Sequence, residues 1–214
     1  GRAAVLHQLA HAGEGGETDD LGVEVLPDLI ERLEPVEQLH VLHLGQIAGE
    51  HLIQVVVGVD QSGIAQHVAG VDFLFVDSGE DKPDEDIEYS GIVAFDQYRV
   101  KQAQWLRSLR KEQKVGKHPL VVFCHMPPTL ENWHGPYHLQ ETLVPELNKL
   151  NVSVMISGHL HADGYQQPNE VINFPNLVNS NNTYLLCHIK NGKMDVKSVD
   201  VNGKVKKQFT FPLK

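Results

Sequence analysis

Three short runs of almost entirely apolar residues constrain the fold of this chain more than any other sequence feature. They are FLFV at residues 73–76, LVVFC at 120–124 and VSVMIS at 152–157. Runs this short and this apolar are typical of strands that are covered on both faces in a parallel sheet. Between them, helical periodicity predicts helices over 97–115, with Asp96 as the N-cap, and over 138–150. This order of strands and helices predicts an α/β fold with a layered sheet.

The C-terminal part changes from this pattern to alternating apolar and polar residues. Two Asn-Gly pairs, Asn191-Gly192 and Asn202-Gly203, interrupt the alternation. Asn-Gly is the strongest short-range hairpin signal, because both residues tolerate the positive φ of a tight turn. We therefore predict an antiparallel meander with strands over residues 183–190, 193–201 and 205–211.

The composition changes abruptly at Phe73. Residues 1–72 contain no Lys, Asn, Phe, Tyr, Trp, Met or Cys, and their two basic and twelve acidic residues account for the whole net charge of −10. Aromatic residues usually supply the largest apolar areas of a core, so this segment is a poor candidate for a fold of its own. We divide the chain into an atypical segment, 1–72, and a second part, 73–214. A shifted reading frame or a rearranged gene would also produce such a break.

Local patterns within residues 1–72 are weaker. Apolar residues at helical spacing predict a helix from Pro27 to Leu42, and a β-branched run predicts a buried strand over 52–59. The segment also holds six histidines, to which we assign no site because only His40 and His43 have ligand spacing. They are His7, His11, His40, His43, His51 and His67.

Composition and charge exclude several classes of protein. The acidic balance, 18 basic against 28 acidic residues, disfavours general nucleic-acid binding. Two cysteines cannot frame a disulfide scaffold. We expect no membrane-spanning segment and no signal peptide, since no apolar run approaches 18 residues and the first 25 residues are interrupted by carboxylates. The sequence carries no signal for a compartment or an oligomeric state.

Histidines follow two of the predicted buried strands. His125-Met126-Pro127-Pro128 comes directly after LVVFC, and Gly158-His159-Leu160-His161 comes directly after VSVMIS. Loops at the carboxyl ends of parallel strands meet at one edge of the sheet, and imidazole is a favoured ligand of zinc, iron and manganese. Two histidines one residue apart in extended chain also point the same way. We therefore predict a metal site formed by His125, His159 and His161.

At these residues the chain resembles the calcineurin-like metallophosphoesterases, including the purple acid phosphatase branch. The resemblance covers Phe73 to Leu213 and is carried by FLFVDS with Asp77 and Ser78, by Gln104-Trp105-Leu106, by VVFCHMPP and by SGHLH. It implies a four-layer α/β/β/α sandwich, here incomplete in its N-terminal half. It also implies up to two divalent metal ions (Zn, Fe or Mn), with His125 and His159 at one ion and His161 at the other.

The same resemblance implies a hydrolase, a phosphatase in which a metal-bound hydroxide attacks a phosphate mono- or diester. The expected partner is a phosphate-ester small molecule or a phosphorylated substrate. His134 and His138 follow the His-Met-Pro-Pro segment, and as candidate catalytic residues they would donate to a phosphate oxygen. Surface-loop histidines are the alternative for this pair. Asp163 would orient an imidazole or simply form a turn.

The N-terminal motifs of the family are absent. Residues 1–124 contain no Asn, no Asp two before a His and no Gly-Asp pair, so D-x-H, G-D-x-x-D and G-N-H-[DE] are all missing. Three neutral imidazoles bring no negative charge to offset two closely spaced divalent cations. We therefore expect weak or absent hydrolysis. The alternative is a non-catalytic binding protein that retains the phosphoesterase scaffold with one metal or none.

Overall fold

The computed structural model describes residues 40–47, 51–57, 63–68 and 70–214. Its strands are β1 His40–Ile47, β2 His51–Val57, β3 Gly63–Val68, β4 Val71–Val76, β5 Leu120–Cys124, β6 Val152–Ser157, β7 Gly164–Gln166, β8 Asn176–Val178, β9 Thr183–Lys190, β10 Lys193–Asp200 and β11 Val205–Pro212. Its α-helices are α1 Phe95–Lys111, α2 His134–Thr142 and α3 Val144–Leu147, and a 3-10 turn spans Ile87–Tyr89.

A six-stranded sheet forms the centre of the fold. Its strand order is β3-β4-β5-β6-β8-β7, with β4, β5, β6 and β8 parallel and the two edge strands antiparallel to their neighbours. The three C-terminal strands form a second, antiparallel sheet in the order β11-β10-β9, while β1 and β2 pair as a hairpin. The predicted C-terminal meander is confirmed.

Both faces of the central sheet are covered. Leu74 and Val122 belong to a buried cluster that includes residues of the helices, whereas Phe73, Val121 and Val154 belong to a cluster shared with the three-stranded sheet. Successive strand residues alternate between the faces, so a strand covered on both sides reads as a continuous apolar run. The α/β fold class with two packed sheets is confirmed, and the helices and the two sheets supply three of the four expected layers.

The first helix begins two residues earlier than predicted, and Asp96 is not its cap. Ala94 occupies the N-cap position, and the carboxylate of Asp84 accepts from the backbone N–H of Phe95 (2.7 Å) and of Asp96 (3.2 Å). Asp84 comes from the preceding loop, eleven residues away in sequence. The first N–H groups of a helix lack internal partners, and here a distant carboxylate satisfies them. The prediction of Asp96 as N-cap was wrong.

Other boundaries differ for local reasons. The helix predicted over 138–150 is two helices that begin at His134, and Pro145, which has no N–H to continue the helical bonding, lies in the first turn of the second. The helix predicted from Pro27 to Leu42 is wrong at its end, since His40–Ile47 is a strand, and its residues before 40 lie outside the described residues. The compositional boundary at residue 72 falls inside β4, and the division of the chain there remains a prediction.

Among the helices that the structure describes, none combines the length and the apolar composition that a membrane span requires.

Candidate functional site

The loops that follow β5 and β6 lie side by side at one edge of the central sheet. The two strands are parallel and in register from Val121 opposite Val154 to Phe123 opposite Ile156, so both end at the same edge. The backbone N–H of Gly158 donates to the carbonyl of His125 over 2.9 Å and ties the two loops together. This register brings the histidines of both loops to one place.

The three histidines predicted as metal ligands line one cleft of about 680 Å³. The rings of His125 and His159 meet edge to face, with centroids 5.3 Å apart. His159 and His161 both have positive φ, 70° and 55°, a left-handed conformation that is strained for residues with a Cβ. The loop therefore holds both histidines in a conformation that an unconstrained chain avoids. Their role as metal ligands stays a prediction.

One carboxylate lies beside this group of histidines. Glu131 Oε2 lies 3.3 Å from His159 Nε2. Burial lowers the pKa of His125, the neighbouring His159 lowers it further, and the charges of Glu80 and Asp77 only partly oppose these effects. The pKa of His125 thus lies below its usual value, which favours the neutral imidazole that binds metals. Sequence reasoning did not find Glu131, although it lies only six residues after His125.

Two side chains of α1 form hydrogen bonds with the backbone of the loop that carries Asp77 and Glu80. The backbone N–H of Asp77 donates to Gln102 Oε1 over 3.0 Å, and the Gln102 amide donates back to the Asp77 carbonyl. Arg99, whose side chain is completely buried, donates to the carbonyls of Ser78 (2.6 Å) and Glu80 (2.9 Å). Two buried polar side chains of α1 therefore fix the segment that follows β4.

His134 and His138 belong to this support and are not among the residues that line the cleft. His134 Nε2 lies 2.9 Å from Asp96 Oδ1, and His138 Nδ1 accepts from Arg99 Nε over 2.9 Å. Their rings are stacked, with an interplanar angle of 8°. The three predicted metal ligands line the same cleft, although among the described residues their ligand atoms do not all lie within 4.8 Å of one another, and this pair does not line it. A catalytic role for His134 and His138 remains a prediction.

Asp163 contacts residues outside the histidine loop. Its Oδ1 accepts from the backbone N–H of Ser180 at 3.3 Å, and its Oδ2 lies 3.4 Å from Lys207 Nζ. The carboxylate is therefore engaged in the segment that leads into β9, which favours the turn role over the orientation of an imidazole.

The residue types around the cleft suit a divalent ion, although among the described residues their ligand atoms have not converged to within 4.8 Å of one another. Three imidazoles with Glu131 beside them match the nitrogen and oxygen ligands that zinc, iron and manganese accept. Among the described residues that line the cleft, however, none is Asp or Glu. A pair of close cations needs carboxylates to offset its repulsion, and among the described residues Glu131 is the one carboxylate within 4 Å of a cleft histidine.

Comparisons with known proteins agree with this picture at the level of the family. The sequence profile of the calcineurin-like phosphoesterases matches residues 34–163, a range that includes all three cleft histidines. The match begins within the segment 1–72 and ends at residue 163, whereas the resemblance was predicted to run from Phe73 to Leu213. No curated protein sequence matches the chain significantly.

Two solved structures are similar to the chain. A dimetal phosphatase from Danio rerio is 11% identical, with a TM-score of 0.45 over 68% of this chain and 58% of that one. A purple acid phosphatase from yellow lupin (Lupinus luteus) seeds is 13% identical, with a TM-score of 0.39 over 69% of this chain and 32% of that one. The chain therefore spans less than two thirds of the length of either protein.

Proposed function

The chain belongs to the calcineurin-like phosphoesterase family, and from this premise we propose that its histidine cleft hydrolyses a phosphate mono- or diester with the help of divalent metal. The observation that carries the proposal is the meeting of His125, His159 and His161 in one cleft at the carboxyl ends of two parallel strands. Open α/β sheets place their reactive groups at this edge.

Each histidine has a proposed role. His125 and His159 hold one divalent ion, Zn, Fe or Mn, and His161 contributes to a second. A bound ion of this kind supplies positive charge for the phosphate oxygens and lowers the pKa of a coordinated water. The depressed pKa of His125 keeps its imidazole neutral and ready to bind. Glu131 Oε2, which lies 3.3 Å from His159 Nε2, would help to orient that ring.

The substrate is a phosphate-ester small molecule or a phosphorylated group. His134 and His138 stay candidate contacts to its phosphate oxygens. Their hydrogen bonds to Asp96 and Arg99 would have to be exchanged for substrate, so we expect replacing them to reduce activity less than replacing His159.

A second function has support of its own. The missing N-terminal motifs, together with a cleft lining that has no carboxylate among the described residues, favour a non-catalytic protein that binds with one metal or none. The two functions differ in metal content and turnover. Two equivalents of metal held by the cleft histidines, with turnover, indicate the enzyme, and one or none at the cleft, without turnover, indicates the binding protein.

The test combines metal analysis of the purified chain with hydrolysis of an aryl phosphate monoester and diester, with and without added Zn²⁺ or Mn²⁺. We expect weak, metal-dependent turnover that His159→Ala reduces by about 100-fold or more, as for loss of a metal-holding residue. His188→Ala is the matched control, because His188 is exposed on β9 and does not line the cleft. Turnover that survives His159→Ala, or no turnover at any metal concentration, would contradict the enzymatic proposal.

A further inference from the structure

Three side chains that could hold a metal ion meet at the other end of the central sheet. They are His67, Asp72 and His118, and among the described residues they form a group in which one ligand atom from each lies within 4.8 Å of the others. His118 precedes β5 and His125 follows it, so seven residues of nearly extended chain, roughly 20 Å, separate this group from the cleft. The group is therefore distinct from the phosphoesterase site.

Strand register brings the three residues together. His67 lies directly opposite Asp72 in the antiparallel pairing of β3 with β4. Asp72 lies opposite Leu120 in the parallel pairing of β4 with β5, and the backbone N–H of Asp72 donates to the carbonyl of Pro119 over 2.8 Å. His118 immediately precedes Pro119 in the sequence. His67 and Asp72 thus lie on the neighbouring strands β3 and β4, and His118 lies in the segment that leads into β5.

The distances are close to those of a tetrahedral site. His67 Nδ1 and His118 Nδ1 lie 2.8 Å and 3.4 Å from the same atom, Asp72 Oδ1. A tetrahedral ion with bonds of ~2.1 Å holds its ligand atoms about 3.4 Å apart. The His118 to Asp72 distance already has this value, and a small rotation of His67, whose side chain is 50% exposed, would reach it.

The carboxylate at the centre of the group is short of partners. Asp72 is only 3% exposed, and its Oδ2 has no hydrogen-bond partner among the described residues. Within the same residues its ion-pair partners are the two histidines, which carry a charge only when protonated. The two imidazole rings are 4.2 Å apart, so protonating both would bring two positive charges together. A buried carboxylate is costly unless it is paired, and a divalent cation would supply the missing charge.

We propose that His67, Asp72 and His118 form a second metal site that binds Zn²⁺ or a similar late first-row divalent ion. Two imidazoles and one carboxylate are a donor set that zinc accepts, and water completes the tetrahedron. Both histidines are about half exposed, so the ion enters from solvent. The bound ion clamps the β3–β4 hairpin to the segment before β5, and it stabilises the folded state because the unfolded chain lacks the site.

The experiment removes the cleft ligands first. In the full chain carrying His125→Ala, His159→Ala and His161→Ala, titration with Zn²⁺ alone should still show one bound equivalent and a rise in Tm. Adding His118→Ala should weaken this binding by about 100-fold or more and remove the rise in Tm. Adding His188→Ala, a matched change at an exposed histidine of β9, should alter neither.

Asp72→Asn provides a second, nearly isosteric variant that keeps the shape of the buried side chain and removes its charge. It should also weaken Zn²⁺ binding. If circular dichroism shows that Asp72→Asn does not fold, the His118→Ala result decides, since His118 is half exposed and its loss leaves the core intact. The proposal is overturned if the triple variant binds no Zn²⁺, or if its binding is unchanged by His118→Ala.

Discussion

Replacing Arg99 with methionine should lower the free energy of unfolding by about 3 kcal/mol. The guanidinium is completely buried and donates to the carbonyls of Ser78 and Glu80 and to Nδ1 of His138, besides its ion pair with Asp96. The Ser78 carbonyl is buried and the Glu80 carbonyl only partly so; a buried acceptor left without a donor costs about 1–3 kcal/mol, so the two carbonyls together give roughly 2–4 kcal/mol. The Asp96 side chain is 24% exposed and keeps its contact with His134, so loss of the ion pair adds little.

Urea unfolding followed by far-UV circular dichroism measures the loss, with the m-value as a check that both proteins unfold over the same surface. Arg107→Met is the matched control on the same helix. The Arg107 side chain is 51% exposed, and its partner Glu146 keeps a hydrogen bond from Lys149, so this change should cost about 1 kcal/mol or less. If Arg99→Met loses no more stability than Arg107→Met, the reasoning about the buried support of the cleft loop is wrong.

Three further predictions concern other buried or strained groups. Burial would raise the pKa of Glu146, but hydrogen bonds from its lysine and arginine neighbours outweigh it and hold the pKa below its usual value. The ionised Glu146 carboxylate therefore stabilises the fold at any pH above the pKa that Glu146 has in the unfolded chain. This stabilisation is lost as the pH falls through the lower pKa that Glu146 has in the folded protein. The difference in Tm between the wild type and Glu146→Gln should therefore narrow between about pH 7 and pH 3. Gly79→Ala should lower Tm more than Gly70→Ala. Both glycines have positive φ, but only at Gly79 would an added Cβ meet Phe95, at 2.8 Å. Equal losses of Tm in the two variants would exclude the contact with Phe95 as the cause of the destabilisation. Cys124 is buried and Cys187 is exposed, so a thiol reagent should label only Cys187 until urea unfolds the chain; burial raises the pKa of both thiols, to about 12 and about 11, so labelling at neutral pH is slow. Labelling of both cysteines in the folded protein would argue against the burial of Cys124.

The sequence by itself determined the features that depend on neighbouring residues. The strands over 120–124 and 152–157 begin and end where their apolar runs do, because a strand buried on both faces needs apolar side chains at every position. The Asn191-Gly192 turn has φ of 52° and 69°, as an Asn-Gly pair in a tight hairpin allows. The meeting of the histidine loops follows from the same local information, because parallel strands end at a common edge.

Only the tertiary structure decided which distant side chains meet. Asp84 caps a helix whose first residue is eleven positions away, and Arg99 holds a loop that lies about twenty residues before it. His67, Asp72 and His118 show no ligand spacing in the sequence, yet the register of three strands brings them together. Spacing along the chain predicts contacts within a single turn, helix or strand, and the order of strands predicts which loops share a sheet edge. Contacts between elements depend on sheet register and helix packing, which the whole fold establishes and no short motif encodes.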